Sequence, residues 1–162
     1  MAGHDPDNVI ICILDGDGDT LKKDALHRVV HVYKKHPETC ITYGSYEKKT
    51  KGDRTKISQA YPKGADVRCY PWRGSHLKTF RAVLLQYIKP QWFQNHKGKW
   101  LRAASDIALM LALVEKVGID RCRHIHEIIY VWNNTPVSAK KRIIQKKCET
   151  IIRAKPREQM IS

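Results

Sequence analysis

Five cysteines are scattered along the 162-residue chain (Cys12, Cys40, Cys69, Cys122, Cys148). No CxxC pair and no Cys/His ligand spacing occurs, which argues against a zinc site and against a disulfide framework. No apolar run approaches the roughly 20 residues of a membrane span. The first residues, MAGHDPDN, lack the basic-then-apolar pattern of a secretory leader. Internal repeats are absent, so solenoid architectures are not indicated. These absences predict a soluble protein of a reducing compartment, expected in the cytoplasm or peripherally at a membrane.

Acidic residues are also scarce, at 16 against 30 Lys and Arg, for a net charge of +14. Their distribution is uneven. Residues 1 to 25 hold six aspartates and only two lysines, leaving 10 acidic and 28 basic residues for the remainder. An acidic edge on a basic body is expected. A basic surface attracts phosphates, nucleic acid or anionic lipid without choosing between them. Hydrophobic residues make up 42% of the chain, enough for one domain with a modest core.

The pattern reads as an α/β chain in a single domain over 1–162, with a basic C-terminal helix and tail over 138–162. Residues 9–14, VIICIL, form a short continuous apolar run that predicts a buried, parallel strand. Ala25, Leu26, Val29, Val30 and Tyr33 then follow a helical period that Pro37 ends. TCITYGSY (39–46) reads as a second strand, and the polar stretch 48–64 as a loop. Leu77, Phe80, Leu84 and Ile88 predict a helix stopped by Pro90. SDIALMLALVEKVG (105–118) is apolar nearly all round, as a buried helix ending at Gly118 would be. HIHEIIYVWN (124–133) reads as a strand. After Pro136 a last helix carries Ile144, Cys148, Ile151 and Ile152 on one side, with its lysines mainly elsewhere.

The chemistry-bearing stretch is DGDGD, with Asp15, Asp17 and Asp19 at the end of the first apolar run. An EF-hand loop requires Gly at its sixth position and Glu at its twelfth. Thr20 and Leu26 stand there, which removes the calcium reading. A haloacid-dehalogenase-like phosphatase would use Asp15 and Asp17 as nucleophile and acid/base. It would also need a downstream acidic pair after an apolar strand, and Asp53 follows a basic stretch instead. A third reading is a DxD site. Two carboxylates one residue apart on an extended chain point the same way and can hold Mn²⁺ or Mg²⁺ against a diphosphate. An ordinary surface turn between strand and helix competes with it, with Asp19 or Thr20 as cap.

ILDGDGDTL, TYGSY, RGSHLKTFRAVLLQYI, ASDIALMLALVEKVG and IIYVWNNTP follow one another in this order. Together they resemble the second half of a family 2 glycosyltransferase of the GT-A fold, over roughly residues 8–138. The resemblance implies a partial GT-A-like fold: a mixed sheet with flanking helices, without the N-terminal βαβ nucleotide-binding half. It implies a metal-dependent, inverting transfer of a sugar from a nucleotide-sugar donor to a saccharide, lipid-linked or protein acceptor. By position, Asp15 and Asp17 would be the metal pair, with Asp15 nearer the ribose, and Asp19 one place beyond the usual second carboxylate. Asp106 would be the catalytic base, although Ser105-Asp106 is also a good helix start. Arg73, His76 and Trp132 would face donor or acceptor. A separate chain supplying the missing half is an implied partner. A non-catalytic module for nucleic acid or an anionic membrane surface is the alternative, carried by the basic C-terminal helix and the 48–63 loop.

Overall fold

The computed structural model describes residues 8–49, 57–133 and 137–161. Its elements are β1 (Ile10–Ile13), β2 (Thr20–Leu21), α1 (Ala25–Lys35), β3 (Ile41–Lys48), β4 (Lys78–Arg81), α2 (Ser105–Val117), β5 (Cys122–Trp132) and α3 (Ala139–Arg153). The five strands form one mixed sheet in the order β1-β4-β3-β5-β2. Only β3 and β5 run parallel, and the other pairings are antiparallel. The α/β class with flanking helices is therefore as the sequence indicates.

Helices cover both faces, because successive side chains along a strand point to opposite sides. On one face Ala25, Val29 and Tyr33 of α1 pack on Leu77, Ile125 and Ile129. On the other, α2 and α3 pack on Ile41, Tyr43 and Phe80. The α2 helix is apolar on most sides because it is enclosed, with Met110, Leu111 and Leu113 buried. Its chain reverses at Gly118, whose φ of 81° favours glycine. Ser138 caps α3, its side chain accepting from the Lys141 amide. Arg68 and Glu115, both buried, form a paired contact beneath the C-terminal segment, and Arg68 also donates to the Ile152 carbonyl.

Two expectations are corrected. The apolar run at 9–14 is neither parallel nor fully buried: it is an edge strand, with Cys12 and Leu14 exposed. β1 pairs antiparallel with β4 and has no other strand neighbour among the described residues. It is apolar because Ile11 and Ile13 pack on one core and Ile10 on the other. A local run carries no information about partner direction. The helix expected from Leu77 to Ile88 is instead the strand β4 followed by a 3-10 stretch, Ala82–Tyr87. Spacings of three and four between apolar residues arise equally from a strand joined to a 3-10 turn. Here β1 and β3 claim the two edges of 78–81 and settle its state. Of the predicted 48–64 loop, residues 50–56 lie outside the described residues, as do residues 134–136 of the IIYVWNNTP segment.

Candidate functional site

Asp15, Asp17 and Asp19 lie in the turn between β1 and β2. β5 crosses close by and holds this turn. Asn133, just past β5, donates its Nδ2 to the Asp17 carbonyl (2.8 Å) and its amide to Asp19 Oδ1 (2.7 Å). Tyr130 donates its hydroxyl to Asp19 Oδ2 at 2.5 Å and receives the Asp15 amide at 3.3 Å. Both Asp19 carboxylate oxygens thus accept hydrogen bonds from the protein, and the residue is only 6% exposed. Gly18 closes the turn at φ 100°, where a Cβ would stand 2.7 Å from Asn133 Nδ2. A side chain there would be strained and would displace the asparagine.

Lys78 enters from β4. Strand alternation sends Leu77 and Thr79 toward α1, and Lys78 and Phe80 toward α2. The Lys78 side chain is 1% exposed, and its Nζ lies 3.0 Å from Asp106 Oδ2. The contact is an ion pair without hydrogen-bond geometry, and Nζ has no hydrogen-bond partner among the described residues. Asp106 sits in the first turn of α2 and is 40% exposed. Ala104, not Ser105 or Asp106, is the N-cap residue, and no side chain caps the helix. The carboxylate of Asp106 is directed to Lys78 rather than spent on capping.

Asp15 shares this environment. Loss of water raises its carboxyl above the usual range. The Lys78 ammonium pulls it down, and Asp106, Asp19 and Asp17 push it up. Residues 15 and 106, far apart in sequence, are therefore near enough for the Asp106 charge to bear on the Asp15 carboxyl. Burial and the bond to Asp19 also raise the Tyr130 hydroxyl far above its ordinary value.

An aromatic wall borders the cluster. The His76 ring stacks on Tyr130 with centroids 4.4 Å apart. Tyr46 meets His76 and Trp132 edge-on at 5.5 and 5.6 Å. His76 and Trp132 are thus brought beside the aspartates. Arg73 is not among them. Its guanidinium donates to the Ala60 carbonyl and covers the Tyr70 ring at 4.8 Å, in the segment preceding β4. Its charge is felt by His124 instead. His124 receives its own partner there, with Nε2 2.8 Å from Ser58 Oγ. Since Ser58 donates to the Gly44 carbonyl, the histidine nitrogen carries the hydrogen. Of the other tryptophans, Trp92 is core, with Nε1 on Glu158, while Trp100 is exposed.

Sequence reasoning missed Lys78 and Tyr130. The signal for Lys78 was available: read with a period of two, LKTF places a lysine on the same face as the buried Phe80. Reading the segment as a helix hid it.

Among the described residues no three His, Cys, Asp or Glu side chains converge as a metal-binding group. Asp17 is exposed, Asp15 is exposed as a residue though its carboxyl is partly shielded from water, and Asp19 is engaged. Such a pair does not form a closed protein-only metal cage. An ion of the Mg²⁺ type, which takes one or two carboxylates and completes its shell with phosphate oxygens and water, requires no such cage.

No protein-family model matches the chain. A protein of Sinorhizobium fredii, described as uncharacterized protein y4gI, is 31% identical over 130 residues. The match covers 80% of this chain and 14% of that protein. This chain thus spans a small part of its relative.

Proposed function

We propose that the chain is the acceptor-side part of a metal-dependent, inverting glycosyltransferase of GT-A type. The observation that supports this most is the ion pair of the buried Lys78 with Asp106, both of whose charges bear on the Asp15 carboxyl in the aspartate turn. The five motif segments that carry the resemblance converge there: the aspartate turn, β3, β4, the start of α2 and the end of β5.

In this reading Asp15 and Asp17 face the donor diphosphate and hold Mn²⁺ or Mg²⁺. When bound, the ion offsets charge on the departing nucleotide diphosphate. Asp19 anchors the turn through Tyr130 and Asn133 and leaves the ligand duty to its neighbours. Asp106 accepts the proton of the acceptor hydroxyl as that oxygen bonds to the anomeric carbon and the diphosphate departs. Lys78 fixes the Asp106 carboxylate. His76 and Trp132, with Tyr46, offer ring faces to a sugar, whose C–H face is apolar. The Arg73 guanidinium is engaged by the Ala60 carbonyl and the Tyr70 ring, and the reading assigns it no role. A nucleotide-binding half, from a partner chain or from further chain, completes the donor pocket.

The test is a binding screen of nucleotide-sugars with and without Mn²⁺, on the wild type and Asp17→Ala. Metal-dependent binding lost in the variant is expected. Binding that ignores both the metal and the variant would refute the assignment.

A further inference from the structure

A second charged surface, sharing no residue with the aspartate site, lies on the α2/α3 side of the sheet. Residues 94–101 form a hairpin: Gln94 and Trp100 bridge as antiparallel partners, and Asn95 Oδ1 accepts from the Lys97 and Lys99 amides. The hairpin presents His96, Lys97, Lys99 and Trp100 to solvent, and Trp100 is 63% exposed. Residues 89–104 carry Lys89, Lys97, Lys99 and Arg102 and no carboxylate.

The hairpin faces the C-terminal part of α3 across a groove of about 510 Å³, lined by Trp92, Asn95, His96, Ile151, Ala154 and Pro156 among others. Most of its lining surface is apolar. Ile143, Lys147 and Ile151 are four residues apart on α3 and share one stripe. Because Ile151 lines the groove, the stripe faces the hairpin side. Ile143 is 57% exposed there. Residues 137–148 hold five cations and no acid. The nearby carboxylates are engaged, Glu158 with Lys89 and Lys116, and Glu149 with Arg153.

We propose that this face, the 94–101 hairpin with the adjoining stripe of α3, docks on an anionic membrane surface. Lys97 and Lys99, which have no carboxylate partner among the described residues, answer anionic headgroups. An exposed tryptophan and isoleucine set among lysines suit the headgroup–acyl boundary, where ring and chain leave water while the ammonium groups stay hydrated. A polyanionic strand would use the charge but gain nothing from an apolar groove and an exposed Ile143. The inference is independent of the sugar-transfer reading, because none of its residues belongs to the aspartate site.

The experiment is co-sedimentation of the full chain with phosphatidylcholine vesicles, with and without phosphatidylglycerol, over a salt series, with tryptophan emission recorded in parallel. Binding to the anionic vesicles alone is expected, weakening with salt and shifting emission to the blue. Trp100→Ala should weaken binding by roughly tenfold and abolish the shift. Lys97→Glu/Lys99→Glu should weaken it by at least about tenfold. Lys34→Glu/Lys35→Glu makes the same change in net charge on α1, across the sheet, and should retain most binding. The Lys97/Lys99 pair is exposed and carries the test if Trp100→Ala unfolds. Equal loss in both charge variants would overturn the proposal in favour of net charge alone. So would absence of vesicle binding, or tighter binding to DNA than to vesicles at the same salt.

Discussion

Replacing Lys78 with Met gives an outcome opposite in sign to neutralising its partner. Among the described residues the buried Lys78 ammonium has one ionic contact and no hydrogen-bond acceptor. Its partner Asp106 is 40% exposed, so water can take over when the ammonium leaves. Removing a poorly compensated buried charge in favour of an apolar side chain of similar volume is neutral or stabilising, by about 1–4 kcal/mol. Lys78→Met should therefore leave stability unchanged or raise it by about 1–2 kcal/mol, the low end because Asp15 also favours the ammonium. For a domain of this size each kcal/mol moves Tm by roughly 2–4 °C. Asp106→Asn strips the ammonium of its contact and should cost about 3 kcal/mol. The double variant should return close to Lys78→Met. Urea unfolding of the four proteins reads all three values. In the Lys78→Met protein the Asp15 carboxyl, released from the ammonium, should also titrate higher than in the wild type, read by carboxyl NMR. A Lys78→Met protein losing more than about 2 kcal/mol, or a neutral Asp106→Asn, would refute the picture of a buried and undercompensated charge.

Two further outcomes follow from the same geometry. Tyr130→Phe leaves Asp19 Oδ2 buried without its donor, and should cost about 1–3 kcal/mol in urea unfolding; an unchanged midpoint would mean that Asp19 is free. Burial, then His126 and Arg73, hold His124 below its ordinary pKa of 6.5, so the folded state resists protonation more than the unfolded chain. Stability from this residue is present above 6.5 and is lost as pH falls below it toward the folded pKa. The drop in Tm across that window should be smaller in His124→Gln than in the wild type.

Much of the architecture was legible because the periods were strong. The α2 helix announces itself by an apolar run longer than a strand and by the glycine that stops it. On α3 Ile144, Cys148 and Ile152 pack on the core as their spacing indicates, while Ile151 lines the groove beside the 94–101 hairpin, and β3 and β5 fall within two residues of their expected starts. The direction of β1 was not legible, since an apolar tetrapeptide is compatible with either partner orientation and the choice is made by β4. The state of 77–88 was misread because strand-plus-3-10 geometry mimics helical spacing, and that error concealed Lys78. Of the candidate residues, the aspartate turn stood out by residue type and spacing, and His76, Trp132 and Asp106 through the resemblance of the segments that carry them. Their roles did not: Asp19 is drawn inward by Tyr130 and Asn133, and Arg73 is taken by a carbonyl and a tyrosine ring in its own segment. These are contacts between segments distant in sequence or within an irregular loop, where no period exists to be read.

The central claim is that Asp15, Asp17 and Asp106 belong to one site for a metal and a nucleotide-sugar. Paramagnetic line broadening by Mn²⁺, recorded in amide spectra of the chain with each member of a nucleotide-sugar panel, tests it most directly. The account predicts that one donor, with Mn²⁺, broadens the resonances of residues 15–19, 78 and 106 together and spares the 94–101 hairpin. Broadening that is scattered over the surface, or confined to the aspartate turn with no effect at residues 78 and 106 whatever the donor, would contradict it.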